Sequence, residues 1–166
     1  MSFLLSTPSE AQTDWVRNSE VDPMTDQTIR TAAISVSPNT TTRSQMVSLV
    51  LRCDPGDQLK IYFDWGTTVE TQTGVGRARF IFVMIRFDDK TPYGHHMTPA
   101  NDYQGSFVAG LGGKPDRTAT RKFLKQMLAS KRMIARTTAF YDGDITATFD
   151  LSDLEEGASN VLQQCG

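Results

Sequence analysis

Side chains set at a period of two mark strands along most of the chain, and the stretch 77–89, Arg-Ala-Arg-Phe-Ile-Phe-Val-Met-Ile-Arg-Phe-Asp-Asp, is apolar on both sides in its middle and reads as the longest inner strand. Ile81, Val83, Ile85 and Phe87 share one side of a strand, and Phe80, Phe82 and Met84 share the other. The pattern predicts an inner strand covered on both sides in its middle. Arg77, Arg79 and Arg86 and the acidic pair Asp88 and Asp89 mark where it meets water. Trp15 opens an earlier strand, the turn-prone group 22–26 breaks it, and a second strand over 28–37 completes a hairpin. A second hairpin joins 46–53 to a strand in which Leu59, Ile61 and Phe63 alternate with Lys60, Tyr62 and Asp64, through the turn Asp54-Pro55-Gly56-Asp57. The Gly- and Thr-rich stretch 65–76 reads as a connection, 92–99 as a loop between prolines, and 102–109 as a short strand.

The period changes to three and four residues at 118–130, where Phe123, Leu124, Met127 and Leu128 are interleaved with Arg121, Lys122 and Lys125, which predicts an amphipathic helix. Two strands follow, 133–141 and 145–151, joined at Asp142-Gly143-Asp144, where Gly takes positive φ at no steric cost. Ser152, with Glu155 three residues on, predicts a capping box for a terminal helix whose stripe is Leu154, Ala158, Val161, Leu162 and Cys165. The expected fold is mainly β (α+β): an antiparallel β-sandwich or curled sheet with two helices, forming one domain over 13–166. Residues 1–12 stand apart. Phe3-Leu4-Leu5 with Ser9 and Ala11 ahead of Gln12 is either the trimmed end of a secretory signal peptide or a disordered tail.

The 166 residues are 39% hydrophobic and 22% charged, enough for one substantial core. A net charge of -2 and a pI of about 5.6 argue against nucleic acid as a partner. No apolar run approaches the roughly 20 residues of a membrane-spanning helix. Loop 38–44 carries Asn39-Thr40-Thr41, a glycosylation acceptor only in a eukaryotic secretory setting.

Cysteine usage changes the picture most. Cys53 continues the buried side of its strand after Val47, Leu49 and Leu51, and Cys165 ends the apolar stripe of the terminal helix. Both thiols face the interior, so a Cys53–Cys165 disulfide is expected, and with it an oxidising compartment. Cysteines this far apart, with no Cys-x-x-Cys spacing and no partnered His, give no metal site.

The candidate chemistry is sparse. No Gly-x-Ser-x-Gly elbow is present. His95 and His96, as neighbours in an extended segment, point to opposite sides. In Gly110-Leu111-Gly112-Gly113-Lys114, Val108 stands where a phosphate loop needs its first Gly, and Pro115 stands where it needs Ser or Thr. The pairs Asp54 with Asp57 and Asp142 with Asp144 are accounted for by turns, while Asp88 and Asp89 at the strand rim form a possible cation or partner contact. Arg77, Arg79, Arg132 and Arg136 would make an anion site if gathered at one sheet edge. No catalytic residue, metal ligand or cofactor is predicted, and Arg86, Asp88, Asp89 and His96 are the expected contacts for a protein partner.

The order of several short motifs resembles one family. Trp15 with Asp22-Pro23-Met24-Thr25-Asp26, the strand ending in Cys53, Arg86-Phe87-Asp88-Asp89, Met133-Ile134-Ala135-Arg136 after a helix, Thr148-Phe149-Asp150-Leu151-Ser152-Asp153-Leu154 and a final Cys165 resemble the VasI/TagO family of type VI secretion accessory proteins, over roughly residues 14–165. The chain departs from it by polar insertions near 65–76 and 97–114. The resemblance implies a non-enzymatic, periplasmic or secreted β-rich accessory protein of the bacterial cell envelope that works through protein contacts. The alternatives are a phage or prophage structural protein, and an envelope-acting hydrolase built on His95 or His96 with Asp88.

Overall fold

The structure, a computed structural model, describes residues 14–39 and 45–166. The tail 1–12 and the acceptor threonines Thr40 and Thr41 lie outside the described residues. The strands are β1 (Val16–Val21), β2 (Thr28–Val36), β3 (Val47–Asp54), β4 (Gln58–Asp64), β5 (Gln72–Thr73), β6 (Arg79–Phe87), β7 (Tyr93–Pro99), β8 (Gly105–Val108), β9 (Arg132–Ala139) and β10 (Gly143–Asp150). The helices are α1 (Arg117–Leu128), α2 (Leu154–Gly157) and α3 (Ser159–Cys165).

All pairings are antiparallel, in the order β1-β2-β3-β4-β8-β7-β6-β9-β10, with β5 against β6. The sheet curls without closing: Asn39, just past β2, donates its N–H to Thr146 O of β10 at 2.8 Å, so strands far apart in that order come back together. The inner face of the curl holds the core. Leu49, Leu51, Phe63, Ile81, Val83 and Phe149 point into it, all fully buried.

Both early hairpins form as the alternation predicts, and local chemistry explains their turns. Asp22 Oδ1 accepts from Met24 N at 2.8 Å, the short-range bond by which Asp favours turns over a continuing strand. Asp116 starts α1 in the same manner, its Oδ1 accepting from Thr118 N at 2.8 Å and Ala119 N at 3.3 Å. The inward stripe of α1 is Phe123, Leu124 and Met127, whereas Leu128 is 46% exposed at the helix end.

Four expectations need correction. Residues 92–99, read as a loop, form β7, which pairs with β6 from Ile81↔Met97 to Ile85↔Tyr93. Two prolines and two histidines hide the strand in the sequence, but Pro92 precedes it and Pro99 ends it, where a missing N–H costs little. Strand β6 is inner, but its outer side is buried only at Phe80 and opens at its middle. Phe82 is 38% exposed, because the helices dock on the inner face, where Phe123 of α1 meets Phe87 and His95, each at 5.6 Å between ring centres.

The single terminal helix is two short ones, broken at Ala158 (φ −105°, ψ 17°), although its predicted stripe is buried except at the half-buried Leu162. The Ser152 and Glu155 capping box does not form. Instead Asp150 Oδ1 accepts from Ser152 N at 2.8 Å, and the carboxyl of Asp150 is held below its ordinary range by its hydrogen bonds to Ser152.

The Cys53–Cys165 disulfide is present, with a Cα–Cα distance of 5.7 Å, and it ties α3 to β3. Close by, Gly157 makes room for the Trp15 ring, since a Cβ at that position would lie 2.3 Å from Trp15 ring carbons. Gly157→Ala is therefore expected to displace Trp15 and cost about 1 to 3 kcal/mol through overpacking. A urea melt, with Trp15 emission read against a Trp15→Phe protein, checks this. Unchanged emission and midpoint would refute the contact.

Candidate functional site

Among the described residues the sheet parts beside β8, in a gap set by the length of that strand. Strand β4 pairs with β3 along its whole length, from Ser48↔Asp64 to Asp54↔Gln58, but with β8 only over Tyr62, Phe63 and Asp64. Strand β7 pairs with β8 only over Met97, Thr98 and Pro99. Below β8 the flanks of β4 and β7 part, and the first turn of α1 lies between them.

Two hollows result, one on each side of Asp116. The first, of about 650 Å³, runs along the free flank of β4 and is lined by Leu59, Lys60, Ile61, Pro99, Val108 and Arg117 among others. The second, of about 580 Å³, follows the free flank of β7 past Tyr93, His95 and His96 to Lys122 and Phe123.

In the second hollow, His95 Nε2 lies 2.9 Å from Ala109 O, and the imidazole sits edge-on to Phe123. A carbonyl oxygen only accepts, so Nε2 carries the hydrogen. Burial pushes the His95 pKa down, and the Ala109 hydrogen bond recovers only part of the shift. The Tyr93 hydroxyl donates to Gln126 Oε1 at 3.1 Å, and burial pushes its pKa up to about 12. His96 turns to the outer face, its ring centre 4.2 Å from that of Phe80, so the two histidines do diverge as alternation requires.

The expected partner contacts are only partly gathered. Arg86, Asp88 and Asp89 share the rim at the end of β6. Asp88 Oδ1 accepts from Lys131 N and Arg132 N, each at 3.0 Å, which fastens the start of β9. Asp89 Oδ1 is 3.0 Å from Arg132 Nη2 and 4.0 Å from Arg86 Nη2. This pair is better described as a clamp on β9 than as an open cation site. His96 stands apart, paired across the ladder with Phe82 and so four residues from Arg86, about 13 Å along the strand at 3.3 Å per residue.

The arginines do not converge either. Arg79 donates to the Tyr103 hydroxyl at 2.9 Å and Arg136 to Thr146 Oγ1 at 2.9 Å, while Arg132 is held at the rim. Among the described residues no hydrogen bond joins Asp88 to His95: Asp88 is taken by the N–H groups of Lys131 and Arg132, and His95 by Ala109 O. Among the described residues, one group of three ligand-type side chains, Cys53, Asp57 and Cys165, lies within 4.8 Å, but the disulfide withholds both sulfurs from coordination.

Comparison of the chain with protein-family models, curated proteins and solved structures finds no match. The resemblance in motif order thus stands on the sequence alone.

Charge at the first hollow is arranged by residues that periodicity does not mark as functional. Asp54 is only 9% exposed and pairs with both Arg52 and Lys60, which sets Lys60 at the edge of the hollow. Burial pushes the Asp54 carboxyl up, and the hydrogen bonds from Lys60 and Arg52 more than reverse this, so its pKa is lowered overall. A carboxyl lowered by folding adds stability above its unfolded value, and that stability is lost as pH falls through the folded value. Asp54→Asn should therefore destabilise the protein near neutral pH and flatten its acid limb. Urea melts across pH 2 to 7 check this, and parallel pH profiles for the two proteins would count against it.

On α1, Arg117, Arg121, Lys122 and Lys125 are exposed, as are Lys114 before it and Lys131 after it, and none forms an ion pair among the described residues. Sequence reasoning treats these cations as the solvated side of a helix. The signal for the hollow beside them is the spacing of Gly105 and Gly110, which leaves β8 too short to match β4.

Proposed function

We propose that the protein is a non-enzymatic, exported accessory module of the bacterial cell envelope that acts through protein contacts, in the manner of type VI secretion accessory proteins. The observation that carries this reading is the Cys53–Cys165 bond, because a structural disulfide persists where thiols are oxidised. Two further features support it. Among the described residues no helix is long and apolar enough to cross a membrane, and two hollows of about 650 and 580 Å³ lie beside α1, where a partner segment could be received.

The test is capture from envelope extracts with the disulfide-intact protein, read by mass spectrometry against the same bait after reduction. Recovery of a secretion-machine component by the oxidised bait is the expected result. Recovery of capsid or tail components instead would move the protein to the phage class. Turnover of an envelope polymer that is lost in His95→Ala would make it an enzyme.

A further inference from the structure

We propose that the hollow beside β4 receives an extended acidic peptide segment, which adds as a strand to the free flank of Gln58, Leu59, Lys60 and Ile61. This rests on the protein-binding reading above and names the chemistry of the partner. The main chain supplies the first reason. Trp65 donates its N–H to Gln104 O at 2.8 Å on the β8 side of β4. Hydrogen bonds in an antiparallel ladder alternate, so Phe63, Ile61 and Leu59 turn their N–H and C=O groups to that same side. Phe63 meets Ser106 of β8 there, but among the described residues no strand pairs with Leu59 and Ile61 on that side. An incoming strand would take these groups up in the way of β-augmentation.

The side chains supply the second reason. Leu59 and Ile61 face inward with Val108, while Lys60 faces outward, where the group Arg52, Asp54 and Lys60 keeps one net positive charge, so the strand that fits carries apolar residues on one side and a carboxylate beside Lys60 on the other. Arg117 stands at the α1 border of the same hollow, exposed and without an ion pair among the described residues. The Asp116 carboxylate also borders it, but it is bound to the N–H groups at the start of α1. The positive end of that helix and the row of cations along it leave a field that favours acidic over basic segments.

The probes are two capped pentapeptides, Val-Glu-Val-Glu-Val and Val-Lys-Val-Lys-Val, with a copy of the first N-methylated on alternate residues. Each is titrated into the disulfide-intact, isotope-labelled protein and followed by amide NMR shifts and hydrogen exchange. The acidic peptide should bind at least tenfold more tightly than the basic one and slow exchange at the Leu59 and Ile61 amides. The methylated copy should lose that binding, and Arg117→Glu should weaken the acidic peptide about tenfold. Arg117 is exposed and makes no ion pair among the described residues, and an acidic residue suits a helix start, so this variant keeps its fold. A thermal melt verifies that.

Equal binding of both charges, shifts confined to residues away from 58–61, or no binding at millimolar peptide would overturn the proposal. Its failure alongside recovery of a secretion component in the capture experiment would remove this groove and leave the accessory role. Binding here with no such component recovered would do the reverse.

Discussion

Replacing Cys53 and Cys165 together by Ala is expected to lower the unfolding free energy by about 4 to 5 kcal/mol. The two residues are 112 apart, and closing a loop of that length removes about that much chain entropy from the unfolded state. Net stabilities of domains are about 5 to 15 kcal/mol, so this one bond decides whether the fold persists under stress. The local consequence should be sharper still. Helix α3 has seven residues, too few to hold its shape in water, and it docks through Val161 and the disulfide. The loss should be read by urea denaturation of the oxidised protein, the reduced protein and the double variant. Hydrogen exchange at 159–165 should rise well before the rest of the sheet opens. A change below about 1 kcal/mol would show that packing alone holds the helix, and would take away the main physical support for an oxidising compartment.

Trp65→Ala should have an effect of similar size, about 3 to 5 kcal/mol, by emptying the largest buried side-chain volume at the top of the sheet discontinuity. Trp65 is 1% exposed, its ring centre lies 5.3 Å from that of Phe63, and Nε1 donates to the buried Ser106 Oγ at 2.9 Å. Two contributions are mixed in that number, and a second variant separates them. Trp65→Phe keeps much of the ring but leaves Ser106 without its donor, which should cost about 1 to 3 kcal/mol. Because Ser106 belongs to the short strand β8, both variants should also speed amide exchange at Phe63, Ser106 and Phe107. If the Ala variant melted within about 1 kcal/mol of the parent, the account of this junction would fail.

The candidate site was legible in pieces rather than as a place. The divergence of His95 and His96 follows from alternation and needs no coordinates. The roles of Asp88 and Asp89 could not be read this way, because the groups that occupy them, the main-chain N–H of Lys131 and Arg132 for Asp88 and the Arg132 guanidinium for Asp89, lie more than 40 positions away in the chain. Lys60 and Arg117 passed as ordinary exposed cations for the same reason. Each is unremarkable on its own element, and their shared border exists only because β8 ends early and α1 starts in the gap.

What the chain determined locally is its period, its turns and the inward side of each element. Leu49, Leu51 and Cys53 on one strand, Phe123 and Met127 on α1 and Val161 and Cys165 on α3 were all placed facing the interior by spacing alone, since burial of apolar area is rewarded wherever it recurs at the repeat of the backbone. The tertiary structure decided what long-range pairing must decide. It made a strand of 93–99 by supplying β6 as its partner, left the outer side of β6 open at Phe82 because the helices dock on the other face, and split the terminal helix at Ala158, next to the Gly157 that Trp15 packs against. A strand gains most of its stability from neighbours distant in the chain, whereas the periodicity of a segment reports only which of its sides would be buried once those neighbours arrive.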